Sequence, residues 1–196
     1  VFADSPYWGV SRTYTHNANG SHNVAPDFNS NKGSDLIAGV YKWATSAPTL
    51  GEDGKPVYSY ADSSVVPGEN TDVFFSFSGL TGYGEAGSPN LSGDITIKSL
   101  TVTGLNKEYM MMRLNDHVFS IKEDLTLKNA GAGWLHVWFF GAKHFDIQGN
   151  VVFENSTNYV DLARDPASKI TVGKDVIFNS DGRLQFATKG TGTFQN

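Results

Sequence analysis

The sequence predicts an all-β fold: a right-handed parallel β-helix with three strands per rung, behind an N-terminal β-rich cap. Three observations predict it. FSIKEDLTLKN at 119–129, FDIQGNVVFEN at 145–155 and ITVGKDVIFNS at 170–180 repeat one pattern, and ITIKSLTVTG at 95–104 fits with one residue deleted. A fixed period of about 25 residues is the signature of a solenoid. Within each repeat, apolar and polar residues alternate with the period of half-buried strands. Twenty-one Gly, 13% aromatic residues and only 18% charged residues suit a strand-rich chain with many turns.

The first 92 residues form the expected cap, because an end rung exposes its core and its backbone edge. NANGSHN at 17–23 and NSNKGSD at 29–35 read as turns. LIAGVYKWA and PVYSYA read as two strands divided by the turn sequence GEDGKP, and TDVFFSFSG at 71–79 as a further strand. A Gly-rich loop, GLTGYGEAGSPNLSG, closes this segment.

Residues 93–196 carry the rungs, each with strands a, b and c. Strand b aligns Ile95, Phe119, Phe145 and Ile170, and again Ile97, Ile121, Ile147 and Val172. Strand c aligns Leu100, Leu125, Val151 and Val176, and then Val102, Leu127, Phe153 and Phe178. Strand a reads YMMMRL at 109–114, WLHVWF at 134–139, YVDLAR at 159–164 and RLQFAT at 183–188. Its expected inward columns are Met110, Leu135, Val160, Leu184 and Met112, Val137, Leu162, Phe186. Asn129, Asn155 and Ser180 follow strand c and are expected to ladder at that corner. Right-handed crossovers are the rule for parallel strands. The pattern is still running at Asn196, so a longer solenoid is the expectation.

Composition narrows the function. A net charge of −5 without a Lys/Arg cluster argues against a nucleic-acid face. With no Cys, thiol catalysis, disulfides and thiolate metal sites are excluded. No stretch reaches the ~20 apolar residues of a membrane-spanning helix, so this segment is not expected to insert.

TDVFFSF, the Gly-rich loop and GDITIKSLTVTG at 93–104, in that order, resemble the strand repeat of bacterial autotransporter (type V secretion) passenger domains. The resemblance covers residues 71–180. It implies export to the surface of a Gram-negative bacterium, a parallel β-helix, and adhesion or self-association. GEAGSP at 84–89 echoes a serine-protease nucleophile motif, but Ala86 stands where the Ser should be.

The candidate binding face is the outward side of strand a: Tyr109, Trp134, His136, Trp138, Tyr159, Asp161 and Arg183. One expected column stacks Tyr109, Trp134, Tyr159 and Arg183. The next holds Met111, His136, Asp161 and Gln185, and a third holds Arg113, Trp138 and Ala163. Aromatic faces beside directional polar groups suit a sugar or a peptide. The bland alternative is that residues 1–92 cover this face. His136 beside Asp161 would be a base pair without a Ser or Cys nucleophile in the same columns. No catalytic residue, metal ligand or cofactor is therefore assigned. DFNSNKGSD at 27–35 starts like a calcium loop, but its Gly is one position late and it lacks the closing Glu. The expected partner is a surface glycan or protein, of host or bacterium, or a second copy. The competing expectations are a carbohydrate-active β-helix enzyme, which needs paired carboxylates, and a structural spacer.

Overall fold

The computed structural model describes residues 7–9, 43–44, 49–50, 52, 56–57, 67–77, 91–104, 108–129, 134–154, 157–163, 169–179, 182–186 and 191–194. These residues form strands and turns, with no helix among them. The strands are β1 (Tyr7–Gly9), β2 (Trp43–Ala44), β3 (Thr49–Leu50), β4 (Pro56–Val57), β5 (Asp72–Phe77), β6 (Ile95–Ile97) and β7 (Ser99–Gly104). They continue with β8 (Glu108–Arg113), β9 (Val118–Ile121), β10 (Leu125–Asn129), β11 (Trp134–Phe140), β12 (His144–Ile147) and β13 (Val151–Glu154). The last are β14 (Thr157–Ala163), β15 (Lys169–Val172), β16 (Val176–Phe178), β17 (Gly182–Phe186) and β18 (Thr191–Phe194).

From β6 onward, consecutive strands join three sheets in strict rotation. The b sheet runs β18-β15-β12-β9-β6, the c sheet β16-β13-β10-β7-β5-β1-β2, and the a sheet β17-β14-β11-β8. Every pairing among β5 to β18 is parallel. Among the described residues, antiparallel pairing is confined to β1 with β2 and to β3 with β4, which lie on either side of GEDGK in the sequence.

The b and c registers match the sequence columns residue for residue. Phe145 lies opposite Phe119 and Ile170, and Ile147 opposite Ile121 and Val172. Leu125 lies opposite Leu100 and Val151, and Leu127 opposite Val102 and Phe153. The c column also reaches back across the Gly-rich loop: Val73 of β5 pairs with Leu100, and Phe75 with Val102. β5 thus belongs to the same sheet as the later c strands.

Alternation explains the core. Ile97, Ile121, Ile147 and Val172 are buried, as are Leu100, Leu125 and Val151, while intervening residues such as Thr126 and Ser120 are partly exposed. All three sheets contribute to one apolar cluster. Phe145 stacks on Phe119 at 5.3 Å and meets Phe139 of the a sheet at 4.6 Å. Such rings are worth more than their buried area alone.

The a sheet differs from expectation. Val137, not Leu135, lies opposite Met110 and Val160, and Phe139 lies opposite Met112. The strand has slipped by two residues, which keeps each side chain on its own face. In this register Met112, Val137 and Phe139 are all buried, and Phe139 meets Phe145. Farther along, the β14–β17 pairing shifts between Asp161 and Ala163, so Phe186 lies opposite Ala163 rather than Leu162. The expected Asn ladder cannot be followed, since Asn155 and Ser180 lie outside the described residues.

Candidate functional site

The register redraws the expected binding face. Tyr109, His136, Tyr159 and Arg183 now share one column, because His136 pairs with Tyr109 and Tyr159, and Tyr159 with Arg183. Met111, Trp138, Asp161 and Gln185 share the next. Trp134 falls outside both, opposite Thr157. The expected neighbours His136 and Asp161 are therefore in different columns, and Asp161 stands beside Trp138 instead. Trp138 is half-buried and engaged with its surroundings. The segments DFNSNKGSD and GEAGSP lie outside the described residues.

A second polar cluster sits on the outer face of the b sheet. His144 Nε2 lies 2.8 Å from Thr171 Oγ1 and 3.9 Å from Asp146 Oδ1. Gln148 Nε2 donates to Asp146 Oδ2 at 3.1 Å. A hydroxyl nucleophile is activated by a His whose other ring nitrogen is held by the carboxylate. Here hydroxyl and carboxylate approach the same nitrogen, so the trio does not form that relay.

The a-to-b corner is built on the tight turn Leu114–His117. Asn115 and Asp116 both take positive φ, 47° and 61°, and His117 N–H donates to the Leu114 carbonyl at 2.8 Å. Asn and Asp tolerate this left-handed backbone better than other side chains. Asn115 Nδ2 donates to the Leu91 carbonyl at 2.8 Å, tying this turn to the preceding repeat. His117 Nδ1 lies 3.6 Å from Asp94 Oδ1, which also accepts Val118 N–H at 2.8 Å. Among the described residues, no group of three or more His, Asp or Glu could hold a metal.

The b-to-c corner carries the feature that the sequence columns overlooked. The residue just before each inward c residue is Asp72, Ser99, Asp124, Asn150 or Asp175. Ser99 Oγ donates to Asp72 Oδ1 at 2.6 Å, and Lys98 Nζ to Asp72 Oδ2 at 3.0 Å. Asn150 donates to Asp124 Oδ1 twice, from its backbone N at 2.7 Å and from Nδ2 at 3.0 Å. Asp175 N–H donates to Asn150 Oδ1 at 3.1 Å. In each pair the acceptor belongs to the earlier repeat and the donor to the later one. Backbone bonds continue through the corner, from Glu123 N to the Lys98 carbonyl and from Gly149 N to the Glu123 carbonyl. Gly149 is required there: a Cβ would stand 2.5 Å from Glu123 C and O and from Asp124 Oδ1. The signal was present as a five-fold [Asp/Ser/Asn]-apolar-x-apolar pattern, in DVFF, SLTV, DLTL, NVVF and DVIF.

Protonated Lys98 is favoured, its pKa raised above 10.5 first by the hydrogen bond to Asp72, then by the charges of Asp72 and Glu123. Comparison with protein-family models, curated proteins and solved structures returned no match.

Proposed function

We propose that the chain is a segment of parallel β-helix from a bacterial surface passenger of the autotransporter kind. In this reading it acts without catalysis, in adhesion or self-association, through the outward side of its a sheet. The observation that carries the proposal is the rotation of consecutive strands among three parallel sheets that share one core. A chain that visits three sheets in turn, pairing each strand with its counterpart one repeat away, winds as a coil. The corner column supports this, since each repeat offers acceptors to the next. Such a coil is a long rigid display surface. The column Tyr109, His136, Tyr159 and Arg183, beside Trp138 and Asp161, supplies aromatic and charged groups for a glycan or a protein on another cell.

Display of the chain on cells and measurement of cell–cell aggregation and glycan binding test this reading. Trp138→Ala and Tyr159→Ala are expected to lower either signal by at least fivefold while the far-ultraviolet spectrum stays β-type. Undiminished signals in both variants would remove the a-sheet face from the proposal. Polysaccharide cleavage by the purified chain would replace it with an enzymatic reading.

A further inference from the structure

Cations are sorted between the sheets. Among the described residues, all six Lys lie in or beside the b and c strands, and both Arg, Arg113 and Arg183, lie in a strands. Three of the Lys pair with carboxylates of the chain itself. Lys98 Nζ is 3.0 Å from Asp72 Oδ2, Lys122 Nζ 3.5 Å from Glu69 Oε2, and Lys128 Nζ 3.6 Å from Glu154 Oε2. The two Arg instead share the outward parity of the a sheet. Arg113 follows buried Met112 and is exposed. Arg183 pairs with Tyr159, which pairs with His136, the chain neighbour of buried Val137. Asp161 is the one carboxylate in these outward columns, so the face is cationic on a chain of net charge −5.

The register sets out a diagonal. Arg183 of β17 neighbours Tyr159 of β14, Trp138 of β11 lies one column further along, and Arg113 of β8 one column beyond that. Three strand spacings of about 4.8 Å and four residues of about 3.3 Å separate the two Arg, a span of roughly 20 Å. A planar guanidinium takes a carboxylate through two parallel N–H donors, which a lysine ammonium does not. Aromatic rings suit the apolar face of a sugar. Tyr109 and Tyr159 recur two strands apart in one column, and a repeating column suits a ligand that itself repeats.

We propose that the a-sheet face takes a carboxylate-bearing polysaccharide, built of uronic or sialic acid units, lying along this diagonal. Arg113 and Arg183 receive carboxylates toward its two ends, and Tyr159 and Trp138 receive ring faces between them. Charge complementarity and the use of Arg rather than Lys favour this ligand over a neutral glycan or a protein. The inference rests on the adhesive role given to the a sheet above and narrows its partner to one class.

The test uses the whole chain with polygalacturonate, hyaluronan and polysialic acid, each beside its carboxyl-reduced form, followed by biolayer interferometry. At least one acidic polymer should bind tenfold or more tightly than its reduced form, and more weakly as salt rises. Arg183→Gln and Arg113→Gln should each cut that ratio at least threefold, and Arg183→Lys should recover less than half of the loss. Lys169→Gln removes one positive charge from the b sheet, where Lys169 is exposed and lies opposite His144, and should leave the ratio unchanged. Unfolding midpoints should agree among these variants. Equal binding of acidic and reduced forms, no binding of any of the three, or a ratio indifferent to the Arg variants overturns the proposal. So does a ratio that Lys169→Gln lowers as far as they do, or single-stranded DNA that binds more tightly than every polysaccharide. Aggregation that still falls in Trp138→Ala or Tyr159→Ala then leaves the adhesive reading standing, whereas aggregation and glycan binding indifferent to both remove that reading as well.

Discussion

The c sheet and the a sheet each contribute one strand per repeat with two expected inward columns, yet only the first keeps the register that its sequence columns predict. In the c sheet from β5 onward, each strand begins at a corner where Asp, Ser or Asn is bonded to a neighbouring repeat, as Asn150 is to Asp124. Those bonds fix the first residue, and alternation fixes the rest. For the a strands, the corresponding lead-in residues, 105–107, 130–133, 155–156 and 180–181, lie outside the described residues. In β11 the register differs by two residues from the sequence columns, and in it Phe139 lies opposite Met112 and meets Phe145. A polar pin at the strand start makes register legible. Apolar alternation alone leaves two registers open in β11, where Leu135–Val137 and Val137–Phe139 are both apolar pairs.

The largest effect is expected where the two regimes meet. Phe145 is fully buried between Phe119 of its own sheet and Phe139 of the a sheet. Phe145→Ala should cost about 3–5 kcal/mol, the usual range for a buried Phe truncated to Ala. Chemical denaturation measures it. A loss below about 1 kcal/mol would mean that the a sheet does not depend on this contact.

The corner itself gives the next effect. Gly149→Ala forces a Cβ onto Glu123 and Asp124, whereas a Cβ at Gly68 meets nothing within 4 Å. The first should destabilise by about 1–3 kcal/mol, as overpacking does, and the second should be close to neutral. At about 2–4 °C per kcal/mol for a chain of this size, thermal melts separate them. Equal melting points for the two variants would show that the corner is not tightly packed.

The smallest effect is electrostatic. The folded-state pKa of Lys98 is raised, so its contribution to stability is complete below 10.5 and is lost as pH rises through the folded value. As pH rises above 10.5, the wild-type melting point should therefore fall more steeply than that of Lys98→Met. Parallel curves would mean that the pair with Asp72 adds nothing to folding.

How far the sequence could be read follows from these contrasts. The b and c columns were legible because Ile, Leu, Val and Phe recur at fixed spacing and the strands are pinned. β5 was legible as a strand, but its place in the c column was not. The Gly-rich loop lengthens that interval, and the preceding Asp72 was not recognised as a corner residue. The columns of the candidate face were misread, since His136 rather than Trp134 lies opposite Tyr159. Trp134 and Trp138 have the same parity, and both Leu135–Val137 and Val137–Phe139 fill two inward positions with apolar groups. The deciding fact, Phe139 against Phe145, is a contact between sheets that no single-strand pattern contains.

Register in the a sheet is therefore the most direct test of this account. The chain has no Cys, so introduced pairs report without background. His136 lies opposite Tyr159, and Trp134 opposite Thr157. Paired Cα atoms on adjacent strands are about 5 Å apart, within disulfide range. A two-residue offset takes them to about 8 Å, beyond the ~7 Å limit. Under mild oxidation, His136→Cys with Tyr159→Cys should cross-link nearly completely and Trp134→Cys with Tyr159→Cys should stay reduced. The reverse outcome would restore the unshifted columns and contradict the conclusion that core packing, rather than strand pattern, sets this sheet.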